Sequence, residues 1–242
     1  MKKTAVITPI ASPLLDEAVR RRCREVAPAD FEVEAISLTR GPLSIETIFD
    51  EEYAAAALYD WALENRREIG REYGAVVVNC FADPGVDGLR ELLDLPVVGV
   101  GAAAFSLALQ LAPRFSVISM QKNSLAHGLA RLDKMSLGGR LASFYPLEDN
   151  LESLAEGGGY RQLLAYGKKA AAEDGADALV LGCTGMAEMA VRLQEELPLP
   201  VIEPTSAGLW AAFALQGLGL KHGRCWMYQQ ARPENIVRRN DN

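Results

Sequence analysis

The chain has 242 residues, 49% of them hydrophobic and 24% charged, enough apolar material for one large core or two small ones. A formal charge of −7 leaves no basic footprint for a nucleic acid, and no run of about 18 apolar residues is present to span a membrane. Four cysteines without close pairs make neither a disulfide framework nor a zinc ribbon, and Pro9 cuts short the apolar run after Met1-Lys2-Lys3, so no secretory signal is read; free thiols in a reducing cytoplasm are expected.

Short apolar runs alternate with longer helical patterns, which is the signature of parallel βαβ units. A strand near 4–8 ends at Thr8-Pro9. The helix expected over 12–26 carries Arg20-Arg21-Arg22-Cys23-Arg24, a charge run read as a solvated face. A strand near 32–38 and the break at Gly41-Pro42 precede a helix over 50–72. The run Ala75-Val76-Val77-Val78-Asn79 is a strand ending at Cys80, and Phe81-Ala82-Asp83-Pro84-Gly85 turns into a helix over 86–93. A strand at 96–99 leads into a helix over 102–112. The second half starts near Gly101, with strands near 115–119, 140–145, 178–182 and 200–203. Between and after them fall helices over 123–134, 150–173, 186–196 and 206–217, the second interrupted near Gly157-Gly158-Gly159. The strands are rich in Val, Ile and Leu without clean alternation, as expected when both faces are covered. Residues 221–242 are polar and lack clear periodicity, so a frayed tail and an oligomer contact both fit. Trp61, Trp210 and Trp226 are assigned to core or interface packing.

The two halves repeat one another. Cys80 and Cys183 close equivalent strands 103 residues apart, and Leu95-Pro96-Val97-Val98-Gly99 recurs as Leu199-Pro200-Val201-Ile202-Glu203. Ala5-Val6-Ile7-Thr8 has its counterpart in Ser116-Val117-Ile118-Ser119. The expected fold is α/β, with two pseudo-symmetric Rossmann-like lobes, each a mainly parallel sheet flanked by helices, and a site in the cleft between them. Because the helix at 206–217 can return to the first half, the first lobe is expected to be discontinuous, 1–100 plus 205–242. The second is expected to be continuous, 101–204.

Ligands of open α/β sheets bind beyond the carboxyl ends of the strands, where Cys80 and Cys183 fall. Helix N-termini there favour a thiolate and so a depressed pKa. Two facing thiols suit acid–base exchange of a proton on a carbon next to a carbonyl, one taking and the other giving. A buried cysteine is also a small hydrophobe, but two at equivalent repeat positions favour chemistry. Other cysteine chemistries fit poorly. No C-x-x-C pair occurs, Val86 stands where a cysteine phosphatase loop needs Arg, and neither His127 nor His222 lies beside a strand-end motif. No clustered ligands suggest a metal. An enolate oxygen would find donors in the backbone N–H groups after each cysteine and in the hydroxyl of Thr184. Thr8 and Ser119 are candidates for substrate oxygens, or ordinary helix caps. Asp83 fits a plain turn, and Glu203 a charge at a helix N-terminus.

The runs Cys80-Phe81-Ala82-Asp83-Pro84-Gly85 and Leu181-Gly182-Cys183-Thr184-Gly185-Met186 resemble the paired cysteine motifs of the aspartate/glutamate/hydantoin racemase superfamily, most closely its hydantoin and allantoin racemase branch. Gly41-Pro42-Leu43-Ser44-Ile45-Glu46 and Glu203-Pro204-Thr205 add to the match, which covers nearly the whole chain. The resemblance implies a racemase without cofactor, Cys80 and Cys183 as its two acid/base catalysts, and a homo-oligomer. A small carbonyl C–H acid is the implied partner, contacted by Thr8, Pro9, Phe81, Ser119, Thr184 and Gly185. The sequence departs from the branch where Thr8-Pro9-Ile10-Ala11-Ser12 replaces an Asn-Pro-Asn-Thr run that binds polar substrate atoms. Aspartate or glutamate racemases, cis–trans isomerases of the superfamily and a two-lobed binding protein are the alternatives. Retention of both cysteines argues against its decarboxylase branch.

Overall fold

The computed structural model describes residues 2–120 and 123–235. Among these residues eight strands form two four-stranded parallel sheets of the same topology. The first contains β1 (Lys3–Thr8), β2 (Val33–Ser37), β3 (Tyr73–Val78) and β4 (Val97–Gly99), in the order β2-β1-β3-β4. The second contains β5 (Phe115–Met120), β6 (Leu141–Leu147), β7 (Ala178–Gly182) and β8 (Val201–Ile202), in the order β6-β5-β7-β8. The helices are α1 (Asp16–Val26), α2 (Ile48–Glu64), α3 (Arg66–Glu72), α4 (Val86–Leu92), α5 (Val100–Leu111), α6 (Asn123–Lys134), α7 (Leu151–Ala155), α8 (Tyr160–Ala172), α9 (Ala187–Glu196) and α10 (Pro204–Gly217).

The core explains why these strands read as unbroken apolar runs. Val76, Val77 and Val78 are all fully buried, as are Leu179, Val180 and Leu181, because each central strand is covered on both faces. One shared core lies between the sheets and unites Val6, Val77, Phe105, Phe115, Val117, Val180, Leu209 and Phe213. The outer faces have separate cores, around Ile7, Leu58 and Leu89 on one side and Ile118, Leu163 and Leu193 on the other. Helices α5 and α10 fill the middle and pack on each other. The helix that leaves β4, α5, packs on β7 and β8; the one that leaves β8, α10, packs on β3 and β4. Each half thus hands its last helix towards the other.

Several boundaries differ from expectation. The helix foreseen over 50–72 is two helices: Thr47 and Asp50 form a capping box at the start of α2, and Asn65 ends it by donating Nδ2–H to the Trp61 carbonyl at 2.8 Å. The helix over 150–173 is interrupted at the glycines expected to break it, Gly157 and Gly159 in the left-handed region separating α7 from α8. The next difference bears on the site: α5 starts at Val100, straight from β4, without a connecting loop.

The segment after Lys221 is strapped to the first sheet side. Arg224 donates to the Glu91 and Leu93 carbonyls at 2.8 and 2.7 Å, Tyr228 donates to Asp87 at 2.9 Å, and the Val97 N–H donates to His222 Nε2 at 2.8 Å. Residues 236–242 of the expected tail lie outside the described residues. Trp226 is 92% exposed, which excludes the core half of its expected core-or-interface role, and the strap is held by its polar groups. Among the described residues no helix is long and apolar enough to cross a membrane.

Candidate active site

The loops after β3 and β7 are built alike. In the first, Ala82 N–H donates to the Cys80 sulfur and Asp83 N–H donates to the Cys80 carbonyl at 2.9 Å. In the second, Gly185 N–H donates to Cys183 Sγ at 3.4 Å and Met186 N–H to the Cys183 carbonyl at 3.1 Å. Each cysteine therefore sits at the head of a tight turn whose second N–H faces its sulfur. Both thiols line one cavity of about 150 Å³. Its apolar wall includes Ile45, Phe81, Met120, Phe144 and Leu151. Its polar groups include Ser44, Glu46, Glu51, Ser119, His127, Arg131 and Thr184.

The electrostatics correct one expectation. In place of depressed thiol pKa values, burial pushes Cys80 up to about 12 and Cys183 up to about 11. The reason lies in the turns. No α-helix starts directly after either cysteine: α4 begins at Val86, and a 3-10 turn over Thr184–Met186 intervenes before α9. The dipole effect fades within a turn, leaving a single N–H to oppose the desolvation of each sulfur. Those N–H groups, of Ala82 and Gly185, face the sulfurs.

Of the six substrate contacts expected, Phe81, Ser119 and Thr184 line the cavity. Thr8, Pro9 and Gly185 do not. The Thr8 hydroxyl is buried, accepting from Asn79 Nδ2 at 3.3 Å, while Asn79 Oδ1 accepts from Thr205 at 2.9 Å. The Pro9 carbonyl looks toward Gly41, and Gly185 is packed beneath Leu151. Ile10 is buried too, so the first residues after β1 turn into the core. Ser119 holds the corresponding place in the second half, donating to the Gly182 carbonyl at 2.9 Å, yet it still reaches the cavity. The repeat is faithful in sheet topology and uneven in the cysteine turns and their side chains.

Three ionisable wall residues escape a reading of the sequence: Glu51 on α2, and His127 and Arg131 on α6. His127 lies away from any strand-end motif along the chain, but α6 brings it to the same cavity as the cysteines. Its Nδ1 stands 3.8 Å from Glu51 Oε1, across the two halves. Burial, partly offset by the charges of His127 and Arg131, pushes the Glu51 carboxyl up. The only signal in the sequence is that His127 is one of two histidines. Among the described residues no group of three or more His, Cys, Asp or Glu is placed to hold a metal ion.

Comparison with known proteins gives a consistent result. Residues 5–212 match the sequence profile described as Asp/Glu/Hydantoin racemase. The hydantoin racemase of Paenarthrobacter aurescens is 35% identical over 93% of this chain and 95% of its own. Two solved structures share the fold over almost all of both chains. The allantoin racemase from Klebsiella pneumoniae is 29% identical, with a TM-score of 0.88 over 96% of this chain and 95% of that one. That from Pseudomonas fluorescens is 26% identical, with a TM-score of 0.89 over 97% and 99%.

Proposed function

The chain belongs to the Asp/Glu/hydantoin racemase family and is a racemase, hence an isomerase, and on that premise we propose that Cys80 and Cys183 invert a carbon acid held between them. The single observation that carries this reading is that two thiols, from equivalent strand ends of two sheets of the same topology, line one small cavity. One sulfur, as thiolate, takes the proton from the stereogenic carbon. The C–H electron pair moves onto the adjacent carbonyl oxygen as an enolate, and the opposite S–H returns a proton to the other face. Each sulfur ends in the protonation state the other began with. The reverse reaction then uses the same pair with roles exchanged. Ser119 and Thr184, whose hydroxyls reach the cavity, are the proposed partners of the substrate's polar edge, with Phe81 against its ring.

The raised thiol pKa values shape the mechanism. A neutral pair is the resting state of the free site, and the N–H at each sulfur lowers the cost of the thiolate when it forms. A small planar C–H acid suits this arrangement, because its own acidity and delocalised enolate limit the barrier. We propose a 5-substituted hydantoin as substrate, supported by the hydantoin racemase relative and by the apolar wall of Ile45, Met120, Phe144 and Leu151, which fits a non-polar substituent. Allantoin is the second reading, favoured by the two allantoin racemase structures. Aspartate, glutamate and a cis–trans substrate find less support, since their charged carboxylates would have to lie beside Glu46 and Glu51. A two-lobed binding protein is set aside by the family. The proposal keeps residues 1–100 plus 205–242 as one lobe and 101–204 as the other, in a cytoplasmic homo-oligomer.

Proton NMR in deuterated buffer tests the substrate assignment. Single enantiomers of 5-benzyl- and 5-isobutylhydantoin, allantoin, aspartate and glutamate are each compared with an enzyme-free control. Enzyme-dependent exchange at the stereogenic carbon, with loss of optical purity, is expected for the hydantoins. Exchange confined to aspartate or glutamate would overturn the assignment.

A further inference from the structure

We propose that Arg131 is the positioning residue of Cys80, reaching from the second half of the chain to lock the turn that carries this thiol; the inference rests on the reading of Cys80 as an acid/base group. Arg131 lies on α6 and donates one guanidinium nitrogen to the Phe81 carbonyl and the other to the Asp83 carboxylate. Its Cζ lies 5.4 Å from the ring centre of Phe81 and 5.7 Å from that of Phe105. Phe81 and Asp83 are the first and third residues after Cys80, so a single side chain grips both ends of its turn.

Asp83 itself is held from several sides. Its backbone is in the left-handed region at φ 54°, a strained conformation for a residue with a side chain, which persists only where surroundings impose it. Its carboxylate accepts the N–H groups of Gly101 and Ala102 at 2.9 and 2.8 Å, at the start of α5. The neighbouring glycines leave space for the network: a β-carbon at Gly99 would run into the Asp83 carboxyl, and one at Gly101 into the Phe81 carbonyl and Arg131. Since Arg131 also lines the cavity, the lock and the thiol share one wall.

The repeat supplies an internal comparison. The N-terminus of α10 also receives a carboxylate, that of Glu203, which accepts from Thr205 and Ser206 N–H at 2.7 and 2.8 Å and from Arg22 on α1 at 3.3 Å. Both halves thus bring a cation from their first helix to a carboxylate at a central helix. Only in the Asp83 case does that carboxylate sit in a cysteine turn; the Cys183 turn has the buried Met186 in the corresponding position. Arg131 therefore acts on Cys80, and Arg22 acts on neither thiol.

The test measures iodoacetamide alkylation of Cys80 and Cys183 across pH, read peptide by peptide by mass spectrometry, in Arg131→Met, Asp83→Asn and Arg22→Met. Loss of the lock lets Ala82 N–H swing away from the Cys80 sulfur, a charge-assisted hydrogen bond whose absence moves the Cys80 profile up by about one pH unit. At fixed pH that is roughly tenfold slower alkylation of Cys80, with Cys183 unmoved. Arg22→Met is expected to leave the Cys80 profile in place. If Arg131→Met leaves Cys80 unchanged, or shifts Cys80 and Cys183 alike, the positioning role is wrong. Asp83→Asn removes the charge and puts an NH2 group where one of two accepting oxygens stood, so it probes the same lock should Arg131→Met fail to fold; because the Asp83 charge itself raises Cys80, a smaller upward shift, again confined to Cys80, is expected. Full racemisation by Cys80→Ser would instead sink the acid/base reading while leaving the alkylation result intact.

Discussion

Glu203 is the most heavily engaged carboxylate of the chain's centre, and replacing it tests how the two halves are joined. It is 4% exposed and accepts the N–H groups of Thr205 and Ser206, the Ser206 hydroxyl at 2.6 Å and Arg22 Nε at 3.3 Å. Glu203→Ala leaves the first N–H groups of α10 without their acceptor, a loss of about 1 kcal/mol by analogy with other N-caps. It also strands Arg22, whose side chain is 19% exposed. Loss of a partner from a buried pair costs about 3–5 kcal/mol, but partial exposure lets Arg22 recover some hydration, so about 2 kcal/mol is the better figure. The sum is about 3 kcal/mol, which lowers the melting temperature by roughly 6–12 °C in a protein of this size. Circular-dichroism melts of the wild type and variant read it directly. Glu203→Gln keeps one carbonyl acceptor but loses the charge, and is expected to fall about halfway. A drop below about 2 °C for the alanine variant would refute the claim that this carboxylate secures α10.

Other expectations follow from the same geometry. With both thiols raised, log kcat/KM should climb by close to one per pH unit between about pH 7 and 10; a plateau below about pH 9 would contradict the burial argument. Stability should move in the opposite sense. Cys23, Cys80 and Cys183 all have folded-state pKa values above the ordinary thiol range, so the unfolded chain releases protons first and folding weakens as pH rises above about 9. Urea midpoints from pH 8 upward test this, and a flat profile would be the wrong result. Gly182→Ala places a β-carbon against the Ser119 side chain and the Ile118 carbonyl, so it should cost about 1–3 kcal/mol and raise KM by displacing Ser119. Unchanged urea midpoint and KM would show that the strand end has room to spare.

Much of this architecture can be read from residues alone, and the gaps have identifiable causes. Unbroken runs such as Ala75–Val78 and Ala178–Leu181 announce covered parallel strands, and the repeat by itself makes Cys80 and Cys183 equivalent. The Asn65 break in the second helix carries no glycine or proline to mark it. Glu51, His127 and Arg131 are hidden because a helix pattern reports which face is apolar, not which neighbouring half that face will meet. Thr8 misleads for a related reason: a polar side chain at a strand end reads as ligand-facing until its partner Asn79 is seen. The thiol pKa values mislead because a strand end in sequence looks adjacent to the next helix. Here α4 does not begin until Val86, six residues after Cys80, and the turn shields rather than charges the sulfur.

The claim at the centre of this account is that two equivalent cysteines work on opposite faces of one carbon. Its most direct test is racemisation of each enantiomer of 5-benzylhydantoin by Cys80→Ser and Cys183→Ser, followed by polarimetry, with deuterium uptake read in parallel. Each variant should lose racemisation from both enantiomers by about a hundredfold or more, in line with removal of an acid–base group. Residual exchange without inversion should appear with a different enantiomer in each variant. Wild-type racemisation by either variant would contradict it.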